Sequence, residues 1–80
     1  MTPVTITFFV DEQGTPAPSP EFKGFVMQHM TLDEAKDRVK SLRQDFNGNG
    51  YSTWGSERKR LAEKAHKKGY TIKTKVAVFD

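Results

Sequence analysis

The sequence predicts a single small α+β domain in two layers: a three-stranded sheet in the order β-β-α-α-β, with an αα-hairpin packed on one of its faces. Two observations carry this. Segments near either end, VTITFFV at 4–10 and TIKTKVAVFD at 71–80, alternate with the period of two that marks a strand with one face turned to a core. Between them, TLDEAKDRVKSLRQDF at 31–46 repeats its apolar residues at three and four, the period of a helix. Eighty residues make one domain, 1–80, and at that length only about 60% of the unfolded chain's surface is buried on folding.

In the first strand, Val4, Ile6, Phe8 and Val10 alternate with Thr5, Thr7 and Phe9, and the first set is the one expected to face the core. The stretch that follows, DEQGTPAPSPEF, carries Gly14 and prolines 16, 18 and 20. These oppose regular hydrogen bonding and predict a stiff, extended connector. The prolines are spaced by two, so the Pro-x-x-Pro pattern read by SH3 grooves is absent. A second strand is expected at 22–30, where Phe25, Met27 and His29 alternate with Val26, Gln28 and Met30.

A capping box then starts a helix at Leu32: the Thr31 hydroxyl can accept from the Glu34 N–H while the Glu34 carboxylate returns to the Thr31 N–H. Leu32, Ala35, Val39, Leu42 and Phe46 form its apolar stripe, and Glu34 with Arg38 has the stabilising i, i+4 spacing. The second helix is expected at 56–68, capped by Ser56 and ended by Gly69 in the left-handed conformation. Its stripe, Leu61, Ala62 and Ala65 with Trp54 and Tyr70 at the ends, is narrow and allows close packing. In the last strand Ile72, Thr74, Val76 and Val78 face one way, and Lys73, Lys75, Ala77 and Phe79 the other. Helices on one face of the sheet leave the other displaying Thr5, Thr7, Phe9, Lys73, Lys75 and Phe79.

The chain has no cysteine, so a disulfide framework and thiolate zinc sites are ruled out and a reducing compartment is the simplest home. The apolar run at 4–10 is broken by Thr5 and Thr7 and has no basic residues ahead of it. It reads as neither a signal peptide nor a membrane span, and the expectation is a soluble cytoplasmic protein without a membrane partner.

Between the predicted helices, DFNGNGYST resembles the first half of an EF-hand calcium loop. Counting Asp45 as position 1, Asp45, Asn47, Asn49, Gly50 and Tyr51 fit positions 1, 3, 5, 6 and 7. Position 12, which needs a bidentate Glu, is Ser56, and Glu57 comes one residue late. Asp45, Asn47 and Asn49 are therefore weak calcium candidates. The alternative is a helix-ending turn, because Asn and Gly tolerate positive φ.

His29, in a strand, and His66, in the last turn of a basic helix, have no partner suited to acid–base or nucleophilic chemistry, and no phosphate-binding glycine loop is present. A non-enzymatic domain without a cofactor is expected.

The formal charge of +3 is unevenly spread. Residues 1–50 hold five Lys/Arg against seven Asp/Glu, and residues 51–80 hold eight against three. At 100° per residue Arg60, Lys64 and Lys67 fall within about 60° of one another and form a ridge, flanked by Arg58, Lys59 and Lys68. Such a ridge can follow the phosphates of a nucleic acid, with Phe9, Phe79, Lys73 and Lys75 offering a stacking surface on the open sheet. The partner expected is nucleic acid, or an acidic or nucleic-acid-associated protein. The rival reading is a small inhibitor or adaptor whose open sheet docks onto a host or partner protein. In that reading, self-association by strand edge or face makes a homodimer. The β-α-β-β-α-β order and the central motif of an RNA-recognition motif are both absent.

Overall fold

The structure, a computed structural model, describes residues 1–18 and 20–80. Its elements run β1 (Thr2–Val10), β2 (Phe25–Gln28), α1 (Leu32–Asn47), α2 (Ser56–Lys67) and β3 (Thr71–Phe79). Short 3₁₀ turns at Pro20–Phe22 and Gly50–Thr53 complete the chain. The sheet is antiparallel in the order β2-β1-β3, and both helices pack against one side of it. The two-layer α+β domain is therefore the observed fold.

The register decides which side of β1 meets the helices. Thr5 pairs with Val76, Thr7 with Thr74 and Phe9 with Ile72, and all three of these β1 side chains are buried. The sequence expectation for β1 is thus reversed. Phe9, 1% exposed, lies at the centre of the core, while Ile6 and Phe8 lie half-buried on the uncovered side. On that side Val4 is flanked by Gln28 and Ala77, and Val10 by Pro16 and Thr71, so both valines are buried without any helix above them.

Burying two threonines requires partners for their hydroxyls. Thr5 Oγ1 donates to the Ala35 carbonyl at 3.3 Å and accepts from His29 Nε2 at 2.8 Å. Thr7 and Thr74 lie hydroxyl to hydroxyl at 3.5 Å.

The connector after β1 is more ordered than its prolines suggest. The Asp11 carboxylate accepts from the N–H groups of Gln13 and Thr15, Pro16 bridges to Val10, and Ala17 N–H donates to the Phe9 carbonyl. The 3₁₀ turn then delivers Phe22, 4% exposed, to the core, so the second strand is shorter than expected and starts at Phe25. The part of the connector reading that falls on Ser19 lies outside the described residues.

α1 starts where its cap predicts: Glu34 N–H donates to the Thr31 hydroxyl at 3.1 Å. The Glu34 carboxylate reaches one residue further back than a capping box requires and accepts from Met30 N–H at 2.9 Å. Turned that way it does not pair with Arg38, whose Nε is buried without a partner. Ala35, Leu42 and Phe46 face inward, and Leu32 is exposed.

α2 has Gly55, not Ser56, at its N-cap position, with no side-chain cap; Gly69 follows its end at φ 81° as the sequence predicts. Its Ala62 and Ala65, both 0% exposed, let the helix close tightly on a core of Phe9, Phe22, Leu42, Phe46, Trp54 and Ile72.

Candidate functional site

The residues singled out in the sequence divide among four environments. On α2, the buried direction is set by Ala62 and Ala65. At 100° per residue Arg60, Lys64 and Lys67 point roughly opposite to them, and all three are exposed. The ridge is therefore real and faces away from the sheet. It spans about 10 Å along the helix axis. Lys64 Nζ lies 3.6 Å from Glu21 Oε2, an exposed pair. Glu21, Glu57, Arg60, Leu61 and Lys64 line a shallow surface depression of about 330 Å³. Glu57 and Glu63 border the ridge, and six Lys/Arg against these two acids make residues 56–68 its basic centre.

Two of the flanking cations are engaged in packing. The Arg58 guanidinium sits 4.6 Å from the Phe25 ring centroid, and Lys68 Nζ 5.3 Å from that of Phe22. At these distances each contributes about 0.5–1 kcal/mol to holding α2 against the sheet side of the molecule. Lys59 is half-buried.

Lys73, Lys75 and Phe79 belong to the uncovered face of the sheet, on the other side of the molecule from the ridge. Phe9 does not join them, being in the core. Its place is taken by Phe8, which pairs with Lys73 and lies under Lys75 Nζ at 5.8 Å from its ring centroid. Phe8, Val10, Gly14, Pro16, Lys73 and Lys75 line a depression of about 250 Å³ there. No acidic residue stands on this strand face, which β1 fills with Val4, Ile6 and Phe8 and β2 with Val26. Phe8 was hidden from sequence reasoning because two adjacent phenylalanines in a strand point to opposite faces, and only the register says which faces which.

The stretch at 45–53 ends α1 at Asn47 and leads through Gly48 and Asn49 into the 3₁₀ turn. Asp45 Oδ2 accepts from Trp54 Nε1 at 3.2 Å, Asn49 takes the left-handed conformation at φ 60°, and Gly50 opens the 3₁₀ turn. Gly50 lies against Asp45, where an added Cβ would sit 3.3 Å from its Cα. Among the described residues no group of three or more His, Cys, Asp or Glu is placed to hold a metal ion. His66 packs on the aromatic cluster, 5.3 Å from Phe46 and 5.9 Å from Tyr51 between ring centroids. His29 is used by Thr5.

Among the described residues no helix is long and apolar enough to cross a membrane. Comparison with protein-family models, with curated proteins and with solved structures gives no match.

Proposed function

We propose that the chain is a non-enzymatic binding module that engages an anionic macromolecule, a nucleic acid first, through the solvent face of α2. The observation that supports this is the placement of Arg60, Lys64 and Lys67 in one exposed line opposite the buried alanines. Cations so arranged gain from releasing the counterions of a phosphate backbone. The exposed Lys64–Glu21 pair is of the kind that contributes little and yields readily to a phosphate.

The test is titration into labelled single- and double-stranded DNA and RNA, with Arg60→Glu/Lys64→Glu and Lys73→Glu/Lys75→Glu variants in parallel. The reading expects the first variant to lose binding and the second to keep most of it. Loss confined to the second would move the working surface to the sheet.

A second reading, docking of a partner protein on the uncovered sheet face, is favoured by one feature: an acid-free surface of Ile6, Phe8, Val26 and Phe79 with no element above it. Phe8→Ala would weaken that interaction and leave nucleic-acid binding untouched.

A further inference from the structure

Five of the six large apolar residues that stand exposed, Met1, Met30, Leu32, Val78 and Phe79, gather at one end of the molecule. Met1, Pro3, Met30, Thr31, Leu32 and Val78 line a groove of about 220 Å³ there, and Phe79 lies beside Thr2 on the other face of the same strand end. Exposed apolar surface concentrated in this way marks an interaction site.

The same end carries an unpaired strand edge. The carbonyls of Pro3 and Phe9 accept bonds on the β2 side, so the even-numbered residues of β1 turn their backbone groups to β3. These residues face the odd-numbered ones of β3, which leaves the N–H and C=O groups of Ile72, Thr74, Val76 and Val78 pointing outward. Arg43 Nη2 donates to the Thr74 carbonyl at 2.9 Å and closes the edge at that point. From Val76 onward the edge is open among the described residues.

We propose that a second copy of this chain pairs with this open edge, antiparallel and centred on Val78, to make a continuous six-stranded sheet. Charge and the Arg43 bond together select the register, since centring on Val76 would need the Thr74 carbonyl that Arg43 already holds; a second copy fits because the remaining register is self-complementary. Centring on Thr74 would set Lys73 opposite the second copy's Lys75, and like charges directly opposite are destabilising. Centring on Val78 places the two Lys75 residues six positions apart, about 20 Å along the strands and beyond the screening length at physiological salt.

In that register Val78 meets Val78, and Phe79 lies over the small Ala77 within reach of Lys75, the partnership Lys75 already makes with Phe8. The two-fold axis runs through the sheet normal, so both helical layers stay on one side and the two Met30–Leu32 grooves meet across it. This interface stands independently of the α2 reading.

Because the chain has no cysteine, a single introduced thiol reports the register. At the centre of such a pair the two Cα atoms lie about 5.5 Å apart, within the range a disulfide spans. Val78→Cys is expected to oxidise to a covalent dimer, and Val26→Cys, exposed on β2, is not. By sedimentation at about 200 µM the unmodified protein is expected to be dimeric. Val78→Pro, which removes an outward N–H and no bond to β1, is expected to be monomeric with its fold retained. Should that variant not fold, Val78→Lys carries the same expectation. A monomer at that concentration, a dimer that survives the folded variant, or equal cross-linking at 26 and 78 would overturn the proposal.

Discussion

Phe8 and Phe9 are adjacent in sequence and opposite in environment, and the difference is measurable. Phe9 packs against Phe46 and Phe22 at ring-centroid distances of 5.9 and 6.4 Å. Phe9→Ala is expected to cost about 3–5 kcal/mol and Phe8→Ala about 1 kcal/mol in urea unfolding. An equal cost would mean the register of β1 is wrong. Gly24 is a second sensitive point, because a Cβ there would run into the Thr7 carbonyl oxygen, a backbone atom that cannot step aside. Gly24→Ala should lower stability by about 1–3 kcal/mol, read from the same unfolding curves. At Asp45 the turn reading expects Asp45→Ala to cost about 1–3 kcal/mol by orphaning Trp54 Nε1, and expects millimolar calcium to leave the melting temperature unchanged. A calcium-dependent rise, abolished by the substitution, would restore the metal reading.

Among the elements, those with local signals were legible and those set by long-range pairing were not. α1 announces itself through Thr31 and its stripe, and Thr31→Ala should cost about 1 kcal/mol while Ser56→Ala, at a position with no side-chain cap, should cost little. Thermal melts of the two variants separate them. The end of α2 was likewise readable from Gly69. The β1 faces were not, because alternation states that two faces differ and is silent on which one meets helices. Phe22 is misplaced for a related reason: the sequence puts it at the start of a strand over 22–30, and nothing local shows that a 3₁₀ turn instead returns its ring to the core. The alignment of Arg60, Lys64 and Lys67 is legible in the sequence, since it depends on α2 alone. Its separation from Lys73 and Lys75 depends on the sheet and emerged only with the fold.

At the scale of the molecule, charge and apolar surface are sorted to different places. The helix side carries the Arg60, Lys64 and Lys67 line, the uncovered sheet carries an acid-free apolar face, and the end of the molecule formed by Met1, Met30, Leu32, Val78 and Phe79 carries most of the exposed large apolar side chains among the described residues. The phosphate contacts proposed for the α2 line are tested by the salt dependence of nucleic-acid affinity between about 50 and 200 mM. Three contacts predict a log–log slope of about −2 to −3, reduced in the Arg60→Glu/Lys64→Glu variant. A flat dependence, or a slope the variant leaves unchanged, would contradict the proposal.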